Sequence, residues 1–96
     1  MYELRYLSGA ERYFKKIREN GLKQAFRSAL EEIARDPYSG EAKLGDLSGV
    51  FCRDVFYNKT NYEIAYRIYE ENGKIVVVIL AGTRENFYRE LKRYMK

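Results

Sequence analysis

The sequence contains no histidine, one cysteine and one proline in 96 residues. Each scarcity removes a class of function. Without histidine there is no Ser-His-Asp or Cys-His catalytic arrangement. A zinc site of His and Cys is excluded for the same reason. Cys52 stands alone, so no internal disulfide forms, which fits a reducing cytosol and a cytoplasmic protein. It lies between Phe51 and Arg53 in a strand-like stretch with no histidine to activate it, and reads as a packing residue. No apolar run approaches the roughly 20 residues of a membrane span, and there is no secretory h-region. Repeats, linkers and low-complexity segments are also missing. Any chemistry falls to Lys, Arg, Tyr, Asp and Glu.

What is present suffices for one core. Hydrophobic residues make up 46% of the chain, so residues 1–96 are expected to form a single domain. The net charge of +4 is unevenly placed. Residues 1–27 carry 7 basic and 3 acidic groups, residues 28–81 carry 6 and 9, and residues 82–96 carry 5 and 2. The basic surplus lies in the two end segments. It is either a solvated face or a surface for an acidic partner or a phosphate backbone.

Periodicity predicts the elements. YELRYL (2–7) alternates as a strand, with Tyr2, Leu4 and Tyr6 on one side. Ser8-Gly9-Ala10-Glu11 has the capping-box form and predicts a helix over about residues 9–19, stopped by Asn20-Gly21. Leu22, Ala25, Phe26, Ala29, Leu30, Ile33 and Ala34 mark a second helix that Asp36-Pro37 ends. The short link makes the two an antiparallel hairpin. Residues 37–49 hold three of the seven glycines and the only proline, and are expected to be a loop carrying at most a turn. Strands follow at 50–57, 62–69 and 74–81, the last two joined by an Asn72-Gly73 hairpin turn. KIVVVILA (74–81) is apolar on both faces and should be central. A helix over about residues 84–94 closes the chain, with Phe87, Leu91, Tyr94 and Met95 as its stripe and Tyr88 at the edge.

The expected fold is therefore α+β, in the order β-α-α-β-β-β-α. A helical hairpin packs on a four-stranded, mainly antiparallel sheet. One face of strand 62–69 carries Tyr62, Ile64, Tyr66 and Ile68. The other carries Glu63, Ala65, Arg67 and Tyr69. That second face is either a solvated sheet surface with a cross-strand ion pair, or a polar concavity flanked by the 37–49 loop and the last helix.

An order and length of this kind resemble the RelE/ParE superfamily of bacterial toxins. Three stretches carry the likeness: KLGDLSGVF (43–51), YEIAYRIYEENGKIVVVIL (62–80) and GTRENFY (82–88). The resemblance implies the toxin of a type II toxin–antitoxin pair. RelE-like members cut mRNA in the ribosomal A site, ParE-like members poison DNA gyrase, and a cognate antitoxin protein neutralises either. The partners implied are thus an acidic or amphipathic antitoxin with ribosome and mRNA, or with DNA gyrase. A member that serves only as an antitoxin partner is a third reading. Neither a cofactor nor a metal is implied, because the cleavage uses the 2′-OH of the RNA.

That chemistry needs a base, cations on the phosphate and an acid for the leaving oxygen. By resemblance, Arg84 matches the arginine that contacts the scissile phosphate. Tyr88 matches the C-terminal tyrosine, and Glu41 the general-base glutamate of the YoeB-like branch. The arginine of the family's Tyr-Arg-Leu stretch is Glu63 here, and Arg67 on the same face is its substitute. Arg53, Lys43 and Lys59 stand nearest to the lysines expected on or beside the second strand, as RNA-binding cations. Arg84 also sits in a first helical turn, against the preference set by the helix dipole, which favours a functional reason for it.

Overall fold

The strongest sequence periodicity becomes the longest helix. In a computed structural model describing residues 1–95, the chain runs β1 (Glu3–Tyr6), α1 (Ser8–Lys16), α2 (Asn20–Arg35), β2 (Glu41–Ala42), β3 (Phe51–Tyr57), β4 (Thr60–Tyr69), β5 (Ile75–Thr83) and α3 (Arg84–Tyr94). Two 3₁₀ turns, Pro37–Ser39 and Gly45–Leu47, flank β2. The sheet has five strands in the order β1-β5-β4-β3-β2. Only the β1–β5 pair is parallel. The α1–α2 hairpin carries the chain from β1 across to the far edge, and three antiparallel strands bring it back beside β1.

Several expectations change in detail. The loop over residues 37–49 contains the short strand β2, so the sheet has five strands instead of four. Ser8 is already helical and Leu7 is the N-cap, with no side-chain cap bond, so the predicted capping box does not form. Asn20-Gly21 opens α2 instead of stopping α1. The break comes earlier, at Ile17, whose extended backbone lets its side chain turn into the core. Gly21 lets Tyr57 pack closely on the start of α2, since a Cβ there would push against the hydroxyl end of that side chain and make it shift. Asp36-Pro37 ends α2 as expected.

Two cores sandwich the sheet. On the hairpin side, Leu22, Phe26, Ala29 and Ile33 of α2 pack on Val55, Ile64, Tyr66, Val76 and Val78. Tyr66 is fully buried, and its hydroxyl donates to the Pro37 carbonyl at 2.6 Å. On the opposite side, Phe87 and Leu91 of α3 pack on Cys52, Ala65, Ile79 and Leu80, with Leu47 and Val50. Complete burial of one such side chain contributes on the order of 1.5–3 kcal/mol.

A bulge in β5 makes the second core possible. Ala65 pairs with Leu80 but Tyr66 pairs with Val78, leaving Ile79 as an extra residue. Val76 and Val78 therefore face the hairpin, while Ile79 and Leu80 both face α3. The added local twist is the usual consequence of such an insertion. The solvated sheet face offered as one sequence reading is thus replaced by a face that α3 covers.

Candidate functional site

The site lies on the α3 side of the sheet, at the end where β5 becomes α3. Three antiparallel strands meet there: Asp54 of β3 pairs with Glu63 of β4, and Glu63 pairs with Gly82 of β5. Glu63 is 2% exposed and is the one buried charged side chain among the described residues. Phe87 and Leu91 anchor α3 in the core. Their burial swings the neighbouring Tyr88 over the sheet, with its ring edge-on to Phe87. The Tyr88 hydroxyl donates to Glu63 Oε1 at 2.9 Å.

Lys43 joins from the other end. Its Nζ stands 4.8 Å from the centre of the Tyr88 ring and 2.6 Å from Glu41 Oε1. Glu41 pairs in register with Cys52, which places it on this same face. Glu41, Lys43, Tyr88 and Glu63 therefore form a continuous polar chain beside the α3 core. Desolvation works against the Lys43 ammonium, but its bonds to Glu41 and Tyr88 prevail and raise its pKa. Burial pushes the Tyr88 phenol up, with Lys43 opposing and Glu63 reinforcing. The Cys52 thiol is pushed up to about 12, first by burial and then by the charge of Glu63.

Arg84 is exposed at the first position of α3, close enough for its charge to lower the Glu63 pKa. Arg67 shares the face but not the place. Four residues along the strand from Glu63, it lies ~13 Å away, with Nη1 against Gly49. Gly49 has φ +90, a conformation that glycine adopts freely, and a Cβ there would stand 2.9 Å from that nitrogen. Arg67 therefore extends the cationic surface toward the Gly45–Leu47 turn without replacing a cation at position 63.

The other expected cations lie elsewhere. Arg53 points to the hairpin side, where it is ion-paired to Glu32 of α2. Lys59 is exposed at the tip of the β3–β4 hairpin, beyond the Val55–Tyr62 pair. Asp54 is the residue that sequence reasoning missed. The signal for it was the two-residue turn Asn58-Lys59, which sets Asp54 opposite Glu63. The strands expected at 50–57 and 62–69 leave residues 58–61 unassigned, so the sequence alone does not give this register. Among the described residues, no three His, Cys, Asp or Glu side chains gather so as to hold a metal ion.

A second surface lies on the hairpin side. A cleft of about 390 Å³ opens between α1 and α2, floored by Tyr6, Phe14, Ile17, Phe26 and Leu30. Lys15, Lys23 and Arg27 line its rim with Glu11.

Residues 4–92 match the family described as ParE-like toxin of type II bacterial toxin–antitoxin system. Among solved structures, the chain is similar to the Mycobacterium tuberculosis RelBE2 toxin–antitoxin complex. That match has 26% identity and a TM-score of 0.67, over 86% of this chain and 98% of the other. It is also similar to an arginine double mutant of the Escherichia coli toxin RelE in the free state, at 20% identity and a TM-score of 0.71, over 96% of both chains. The intact Escherichia coli RelBE complex gives 20% identity and a TM-score of 0.68, over 88% of this chain and 99% of that one. No curated protein sequence matches. The fold is RelE-like, and with the match spanning nearly the whole chain, the protein belongs to the ParE-like toxin family of type II bacterial toxin–antitoxin systems.

Proposed function

We propose that this toxin is a metal-free, ribosome-dependent mRNA endoribonuclease held inactive by a cognate antitoxin. The observation that carries the reading is the gathering of Glu41, Lys43, Tyr88 and Arg84 on one sheet face. These groups fit the tasks of RNA phosphoester transfer. Lys43 and Arg84 are the cations for the scissile phosphate. A phosphate that draws Lys43 from Glu41 frees that exposed carboxylate to take the 2′-OH proton. Tyr88 is the acid for the leaving 5′-oxygen, with the Lys43 ammonium beside its ring to stabilise the phenolate that forms. Arg67 extends the cationic track for flanking RNA. For the antitoxin, the apolar cleft with its Lys15, Lys23 and Arg27 rim fits an acidic amphipathic segment.

Purified toxin, ribosomes and a defined message test this, with cuts mapped by primer extension. The wild type should cut at discrete positions. Arg84→Ala should slow cutting by about 10²–10³-fold, as loss of one charge-stabilising donor does in other sites. An uncut message, or an Arg84→Ala variant as fast as wild type, overturns the reading. A ParE-like gyrase poison is the second reading. It is favoured by Glu63, an acid where resembling nucleases carry arginine, and by Arg53 turned away toward Glu32. A supercoiling reaction unaffected by excess toxin removes it.

A further inference from the structure

Glu63 is buried, yet only half of its carboxyl group has a partner. Oε1 accepts from Tyr88, while Oε2 has no hydrogen-bond partner. An ionised carboxylate left bare in such a place is costly. The cross-strand register sets Asp54 directly opposite, and such partners share a face with Cβ atoms about 4.5–5.5 Å apart. Two carboxyl groups that close do not both ionise readily, and one keeps a proton. A protonated carboxyl is also a donor, which supplies the bond that Oε2 lacks.

We propose that Glu63 and Asp54 share one proton, with the Glu63 Oε2 hydroxyl donating to Asp54, and that this pair is a positioning device that holds the Tyr88 hydroxyl over the sheet. The groups facing it agree. Burial raises the Glu63 pKa and Asp54 reinforces the rise, while Tyr88 and Arg84 on α3 oppose it. Cys52 is the other β3 group near it, with its thiol pushed up to about 12. β5 brings no titratable residue. Lys43 reaches the cluster through Tyr88. The pair stands on this geometry alone; its further role rests on the ribonuclease reading. In that reading the pair fixes the Tyr88 oxygen, through its bond to Glu63 Oε1, at the place from which the leaving oxygen takes the phenol proton.

Carboxyl ¹³C NMR of the full-length toxin, labelled at Glu and Asp, tests the pair without any RNA. Glu63 should titrate above the ordinary glutamate range, and Asp54→Asn should bring it down. A raised folded value means stabilisation that is complete below the unfolded pKa and lost as pH rises through the folded one. The wild type should therefore lose stability relative to Glu63→Gln across that window. An ordinary or lowered Glu63 titration, or one that Asp54→Asn leaves in place, overturns the proposal. If Asp54→Asn does not fold, the wild-type spectra decide by coupling: the Glu63 and Asp54 carboxyl carbons should report the same two midpoints, and independent single steps overturn the proposal. Absence of RNA cleavage condemns the nuclease reading and leaves the pair standing.

Discussion

Residues with the same formal chemistry take different roles here because their surroundings differ. Glu41 and Glu63 both stand on the α3 face. Glu41 is exposed beside an ammonium, whereas Glu63 is buried beneath Tyr88. The first is suited to accept a proton and the second to keep one. Cys52 carries the most direct residue-scale prediction. It is 2% exposed, with its thiol pushed up to about 12 by burial and by Glu63. A thiolate is the reactive form. At mildly alkaline pH the folded protein should therefore alkylate at least 100-fold more slowly than the denatured chain, an estimate that follows from the thiolate fraction. Mass-spectrometric labelling against time checks it, and equal rates would mean that the β3–α3 layer opens freely.

At the scale of elements, the β3–β4 hairpin aligns the acidic pair. Its two-residue turn has φ 49 at Asn58 and φ 64 at Lys59, the backbone of a type I′ turn. Asparagine tolerates that region but lysine does so at a cost. Lys59→Gly should raise stability by roughly 0.5–1 kcal/mol, since relief of the left-handed strain exceeds the entropic cost of glycine. Denaturant titration reads this as a higher midpoint with an unchanged slope. Lower stability would show that the Lys59 side chain matters to the fold. α3 works on the same scale. The predicted stripe proved right at Phe87 and Leu91, which anchor the helix. Tyr94 stays 45% exposed, its hydroxyl close to Gly9 and 3.5 Å from an Arg12 nitrogen of α1. The helix is thus tied to both the sheet and the hairpin.

Across the whole molecule, the two faces differ in character. The hairpin side offers an apolar cleft with a basic rim, and the α3 side gathers the polar chain. The basic end segments fold to different sides, α1 against the hairpin cleft and α3 over the sheet. No helix among the described residues is long and apolar enough to cross a membrane. If the nuclease reading holds, induction of the toxin in growing cells should stop amino-acid incorporation first, with thymidine incorporation following later. Pulse labelling distinguishes the orders. Thymidine arrest first would assign the molecule to the gyrase reading, and unimpaired growth to a member that only partners an antitoxin.

Much was legible in the sequence itself. Local periodicity marked both hairpin helices, the central apolar strand and the bounds of α3, because each depends on side chains a few residues apart. Arg84, Tyr88, Glu41 and Lys43 are all legible as candidates in the sequence; the fold brings Lys43 against both Glu41 and Tyr88, and leaves Arg84 exposed but near enough for its charge to act on Glu63. What local patterns do not encode is pairing between distant strands and the side of the sheet a residue finally faces. Arg53 looked like its neighbours as an RNA cation, yet register turned it toward Glu32. The sequence left Glu63 on a face that was either solvated or a polar concavity; the docking of α3 buries it under Tyr88. Sequence determined which groups are available; tertiary packing decided which of them lose water, and loss of water sets whether a carboxyl is a solvated charge or a held proton.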